Sequence, residues 1–150
     1  MRSIGFKFDK DGFTYVVLES QGTDLEIVHA VQCRADTALD GAEKLQWFAR
    51  EVQSVLGKHA VDAAAFRAME VHTGSSARIA PRAEIEGVAQ LAALEHSLKV
   101  VLTPVRLARI KSKFGVRTKD GLRSAIDDRY PPGLAKKYED AFSVAAAGLK

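Results

Sequence analysis

The order of periodic segments predicts an α/β fold on a mixed five-stranded sheet, three antiparallel strands and then parallel ones, with helices on both faces. Three observations carry that expectation. The first third of the chain alternates apolar and polar residues at period two between turn signals. The middle switches to helical spacing. Each helical stretch there is followed by a short apolar run, which a right-handed crossover returns parallel to an earlier strand.

Ser3 to Phe8 is a short apolar strand, and Asp9-Lys10-Asp11-Gly12 supplies turn chemistry before Phe13 to Glu19, where Phe13, Tyr15 and Val17 share one face. Gln21-Gly22-Thr23-Asp24 turns the chain into Leu25 to Cys33, a third strand of the meander. Asp40 and Glu43 have capping-box spacing, and they open a helix whose Ala42, Leu45, Phe48, Val52, Val55 and Leu56 form a stripe ended by Gly57. Ala60 to Phe66 has strand length; its alanines are weak strand formers, and its place between helices makes it the fourth strand.

Glu70 to Arg82 reads as a loop, and residues 83 to 97 as a helix with Val88, Leu91, Ala92, Glu95 and Leu98 at helical spacing. Lys99 to Leu102 reads as the fifth strand. Thr103 followed by Pro104 signals a helix start, and Gly115 its stop. A shorter helix spans Asp120 to Asp127. After Pro131-Pro132-Gly133 the last helix, Leu134 to Ala147, turns Leu134, Tyr138, Ala141, Phe142 and Ala145 to the core, with Lys137, Asp140 and Val144 along its flank.

With 150 residues and 47% apolar composition, residues 1–150 are expected to form one domain with a core that needs neither disulfides nor a structural metal. The lone Cys33 excludes an internal disulfide framework and a multi-cysteine zinc site. The start MRSIGFKFDK lacks the apolar core of a secretory signal, and no apolar run has membrane-spanning length, so the expectation is a cytoplasmic protein without a membrane partner.

Charge is distributed unevenly. Residues 99 to 137 hold eleven Lys or Arg against three Asp, a local balance of +8, whereas residues 1 to 98 stand at −4. That asymmetry points the C-terminal third toward an anionic partner, nucleic acid (DNA or RNA) in particular. Arg106, Arg109 and Lys113 recur at i, i+3 and i+7 and are expected on one side of their helix. Thr73-Gly74-Ser75-Ser76-Ala77-Arg78 precedes a helix start, where backbone amides and Arg78 can meet a phosphate, but the lysine and spacing of a Walker motif are absent. No cofactor fingerprint is present. His29, His59, His72 and His96 lack metal-ligand spacing among themselves or with Cys33, and His72 is the one nearest the expected cleft. Trp47 beside Phe48 reads as packing, and Cys33 as a small buried hydrophobe.

The strand and helix order, with three short motifs, resembles ribonuclease H-like folds and most of all their RuvC-type resolvase branch, over nearly the whole chain. Ile4-Gly5-Phe6-Lys7 resembles the opening strand that in those nucleases ends in a metal-binding Asp, and Ala63-Ala64-Ala65-Phe66-Arg67 the fourth strand that ends in a Glu. Glu139-Asp140-Ala141-Phe142-Ser143-Val144-Ala145 resembles the terminal-helix motif carrying an Asp. The resemblance implies two divalent ions about 4 Å apart held by clustered carboxylates. Here Lys7 and Arg67 stand in two of those places, and Asp140 alone keeps its acid. The chain is also similar to the uncharacterised bacterial family domain of unknown function 3010, in its first-strand Lys7, in Arg67-Ala68-Met69-Glu70, and in Ala141-Phe142 with Ala147-Gly148-Leu149. That resemblance implies a ribonuclease H-like fold and no assigned reaction.

If the fold brings them together, Lys7, Arg67, Glu70 and Asp140 form either a salt-bridge network in place of metals or an anion pocket for a phosphate. The leading expectation is a catalytically inactive ribonuclease H-like domain that binds nucleic acid or another phosphate-bearing partner through these residues and the basic helix. An alternative is a structural or interaction module, within a homodimer for example. A second alternative is a metal-dependent nuclease or hydrolase using displaced acids such as Asp9, Glu70 and Asp140, where Asp9 joins Lys7 only if the first strand persists through it.

Overall fold

The computed structural model describes residues 1–22, 24–70, 76–96 and 100–149. Strands β1 (Arg2–Asp9), β2 (Gly12–Gln21) and β3 (Asp24–Arg34) form the expected antiparallel meander, and α1 (Gly41–Lys58) follows. Next come β4 (Ala63–Arg67), α2 (Ser76–His96), β5 (Leu102–Val105), α3 (Leu107–Lys113) and α4 (Lys119–Asp127). A 3₁₀ turn (Lys136–Tyr138) leads into α5 (Glu139–Gly148). The sheet order is β3-β2-β1-β4-β5, with β4 parallel to both β1 and β5.

Period-two alternation sorts the strand side chains between two cores. On one face Ile4, Phe6, Phe8, Phe13, Tyr15 and Phe66 pack against Phe48, Val52, Val55 and Leu56 of α1 and Ile85, Ala89 and Ala93 of α2. Edge-to-face and tilted aromatic contacts run through this layer, including Phe8 with Phe66 and Trp47 with Phe48, so Trp47 packs as expected. Cys33 is half-buried against the same core. On the other face Val16, Leu18, Ala65 and Val105 meet α5, which α3 and α4 cover from outside through Ile110, Phe114, Leu122 and Ile126.

Several expected details differ. Thr103 and Pro104 lie inside β5 and do not start a helix; the strand runs four residues, Leu102–Val105. The Val105 carbonyl turns inward to accept the Ala68 N–H at 3.0 Å. One residue back, Pro104 therefore faces the open edge of the sheet, the place where a strand tolerates a missing N–H. α3 then begins at Leu107 with Arg106 as its N-cap residue. α2 begins at Ser76, earlier than the spacing of its apolar residues indicated, and carries Pro81 in its early turns. Its buried stripe is Ile85, Ala89, Ala92 and Ala93, leaving Leu91 and Leu94 57% and 47% exposed. Asp40 precedes α1 but makes no side-chain cap. Val144 is core, not flank, because α5 is enclosed between the sheet and α3–α4 and buries Ala141 through Ala147.

Candidate functional site

The site begins with the face of β1 that looks at α5, where Ser3, Gly5 and Lys7 follow one another at period two. The Ser3 hydroxyl donates to the Ala145 carbonyl at 2.8 Å. At Gly5 the helix comes so close that an added Cβ would lie 2.1 Å from the Ala141 oxygen and 2.5 Å from the Ala145 nitrogen. Only glycine permits this approach. It sets the first turn of α5 over the end of β1, and there the Lys7 ammonium donates to Asp140 Oδ2 in an ion pair.

Arg67 reaches the same carboxylate from β4. Parallel register opposes Phe6 to Phe66, so the next residue on each strand, Lys7 and Arg67, end side by side. Arg67 Nε lies 4.0 Å from Asp140 Oδ1, and its Nη1 donates to Glu70 Oε1 at 3.1 Å. Glu70 Oε1 also accepts the Leu107 N–H at 2.8 Å, capping α3 from outside the helix. That backbone hydrogen bond, with the Arg67 guanidinium second, holds the Glu70 carboxyl below the usual range. Arg82 completes the support: its Nη2 donates to the Arg67 carbonyl at 3.0 Å while its Nε donates to Glu86 at 3.0 Å.

The four expected residues are therefore brought together with charges that cancel, Lys7 and Arg67 against Asp140 and Glu70. Arg67 is the covered member at 13% side-chain exposure, whereas Lys7 and Asp140 stand at 36% and 44%. A cavity of about 250 Å³ opens beside the network, bordered by Arg67, Asp140 and Ser143 and, from α4, by Lys119 and Arg123. Neither α4 residue is apparent in the linear motifs; the signal available was their i, i+4 spacing within the basic third. Thr118 holds them in place by accepting the Gly121 N–H at 3.0 Å as the α4 cap.

Arg106, Arg109 and Lys113 do not all line one groove. Arg106 precedes α3 and borders, with Arg109, a groove that includes Met69, Glu86 and Pro104. Arg109 and Lys113 border a different groove, over β4 and β5. Asp9 is the last residue of β1, yet it is exposed and its carboxylate accepts the Asp11 N–H at 2.9 Å, apart from Lys7 and Asp140. His72 and Thr73-Gly74-Ser75 lie outside the described residues; Ser76 to Arg78 begin α2, and the Arg78 side chain also lies outside them. Among the described residues no three His, Cys, Asp or Glu side chains gather closely enough to hold a metal ion. His29 and His59 instead meet as a tilted pair with ring centroids 4.7 Å apart, and Tyr15 Oη lies 3.5 Å from His59 Nε2. No described helix is long and apolar enough to cross a membrane.

No family model matches the chain, and no curated protein matches it in sequence. Solved structures do match. T. thermophilus RuvC in complex with Holliday junction substrate superposes with a TM-score of 0.79 at 14% identity, covering 98% of this chain and 92% of that one. A second Thermus thermophilus RuvC structure gives the same TM-score and coverages at 15% identity. At that identity the likeness concerns architecture: the chain has the ribonuclease H-like fold of RuvC.

Proposed function

We propose that the chain is a catalytically silent RuvC-like domain that binds nucleic acid along the basic surface of α3 and α4. The observation that carries this reading is the clasp of Lys7 and Arg67 on Asp140, flanked by Lys119 and Arg123. The fold family implies a pair of divalent cations, and the residues present do not fit them. Lys7 is paired with Asp140 Oδ2, the Arg67 guanidinium stands 4.0 Å from Oδ1, and Glu70 Oε1 accepts from both Arg67 and the Leu107 N–H. A dication entering there would meet like charge and lack the oxygen ligands it needs. The network instead holds β1, β4, α3 and α5 together without metal.

Phosphate contact falls to the residues left outside the network. Arg106, Arg109, Lys113, Lys119 and Arg123 are all exposed and form no ion pair among the described residues. The neighbour of this fold that was solved with a Holliday junction makes a four-way DNA junction the first substrate to try. The test is fluorescence anisotropy of labelled junction, duplex and single-stranded DNA and of RNA across a salt series. Binding should weaken steeply with salt, and Lys119→Ala with Arg123→Ala should flatten the logarithmic slope by about 0.7–0.9 for each phosphate no longer neutralised. Salt-insensitive binding, or none to any of the probes, sinks the reading.

A protein-interaction reading is favoured by a separate observation, the exposed Leu91 and Leu94 three residues apart on α2. Under it the chain self-associates through that face as a homodimer, and sedimentation velocity of Leu91→Ser with Leu94→Ser tests it; a wild-type monomer at high concentration rejects it.

A further inference from the structure

Away from the Asp140 network, β4 and β5 present a strip of sheet that α5 and α3 leave uncovered, forming a groove of about 540 Å³. That volume is in the range of small-molecule sites, roughly 300–1,000 Å³. Its floor is made of methyl groups, Ala63 and Ala65 of β4, and its β5 side carries the Thr103 hydroxyl. One wall is α3, contributing Arg109, Ser112 and Lys113. Arg109 and Lys113 are four residues apart on a helix, so their stems rise side by side, with Cβ atoms about 5–6 Å apart. Neither has an acidic partner among the described residues. The one acid of the lining, Asp62, already accepts the Arg2 N–H at 2.8 Å, and the lining keeps a net charge of +1.

The geometry points to this groove as a binding site for a small aliphatic phosphate. The guanidinium of Arg109 offers forked donors and Lys113 a point charge, and with the Ser112 hydroxyl the lining holds more donors than a carboxylate's two oxygens use, the Thr103 hydroxyl already donating to the Val101 carbonyl at 3.4 Å. Alanine methyls suit a short aliphatic skeleton. No aromatic side chain lines the groove, so it has no platform on which a base would stack. Strand addition by a peptide is also opposed, because Pro104 removes a donor from the free edge of β5. The site shares Arg109 and Lys113 with the proposed nucleic-acid surface but lies at the opposite end of α5, where Gly148 and Leu149 border the groove, from the end that carries Asp140.

The experiment is isothermal calorimetry of the full chain at low ionic strength with glycerol phosphate as probe, and inorganic phosphate, succinate and a single-stranded oligonucleotide as comparison arms. Glycerol phosphate should bind saturably with Kd below about 1 mM. Ser112→Trp, which plugs the groove at an exposed position and keeps every cation, and Arg109→Ala should each weaken it by about tenfold or more. Lys119→Ala with Arg123→Ala should leave it unchanged while weakening nucleic-acid binding. Weaker or unsaturable binding of glycerol phosphate overturns the proposal, as does binding that Ser112→Trp or Arg109→Ala leaves intact. Succinate or the oligonucleotide binding this site as tightly as glycerol phosphate overturns its assignment to a small phosphate. Loss of binding in the α4 double variant moves the anion to the Asp140 side and overturns the site as well.

Discussion

Gly5 meets the backbone of α5 at Ala141 with no room for a side chain: a Cβ there would fall 2.1 Å from the Ala141 carbonyl oxygen. The obstructing atoms are backbone, so Gly5→Ala cannot be absorbed by a rotamer change, and α5 has to move off β1. Overpacking of this kind costs about 1–3 kcal/mol. Urea unfolding should show at least that loss. Because Asp140 immediately precedes Ala141, the displaced helix should also loosen the pair with Lys7. An alanine variant as stable as the parent would mean that the helix does not lie where the sheet face places it.

The cations of the network should differ in what their removal does. Lys7 and Asp140 are over a third exposed, so a double-mutant cycle on that pair should give a coupling of about 0–1 kcal/mol. Arg67 is more covered and serves both Glu70 and Asp140. Arg67→Ala leaves two carboxylates adjacent with one cation, and should cost about 1–3 kcal/mol. Equal effects of Lys7→Ala and Arg67→Ala in denaturant titration would contradict this ranking.

Acid should act in two steps. Burial, then the charge of His29, with smaller contributions from Arg2 and Lys58, holds His59 below its ordinary 6.5. Its contribution is complete above 6.5 and is lost as pH falls through the lower folded value. Glu70 is held below its ordinary 4.5, so its contribution is complete above 4.5 and disappears as pH falls through the depressed value. Glu19, lowered by the Arg2 hydrogen bond, acts in the same lower window, while Glu86, raised by burial, works against them. Stability measured against pH should lose its first step in His59→Gln and have a shallower second step in Glu70→Gln; an unchanged profile in either rejects that assignment.

The meander was legible because Phe13, Tyr15 and Val17 alternate cleanly, and the alanine-rich β4 because its neighbours left it no other role. Residues 103 and 104 misled because a Thr-Pro pair satisfies both a helix start and an edge strand, and only the register with β4 decides. The same shift leaves Arg106 outside α3, while Arg109 and Lys113 remain within it. The convergence of Lys7, Arg67, Glu70 and Asp140 follows from family resemblance rather than local spacing. Gly5 as the enabling contact, and Lys119 with Arg123 as the rim, depend on how α5 and α4 dock over long sequence separations.

Pro104 should also guard the free edge of β5. Pro104→Val restores an outward N–H on an exposed edge, and self-association by light scattering should rise relative to the parent. No change would mean that the edge is protected by other means, such as the Gln90 side chain that reaches the Leu102 carbonyl at 3.4 Å.

We propose that the ion pairs of Lys7, Arg67, Glu70 and Asp140 stand in place of metal chemistry in a domain that binds nucleic acid. This is tested most directly by titrating a labelled four-way DNA junction with the protein in EDTA and in Mg²⁺ at matched ionic strength, and then resolving the strands on a denaturing gel. Affinity should be the same in both conditions and the strands should remain intact. Mg²⁺-dependent cleavage of the junction, abolished in Asp140→Asn, would contradict the proposal.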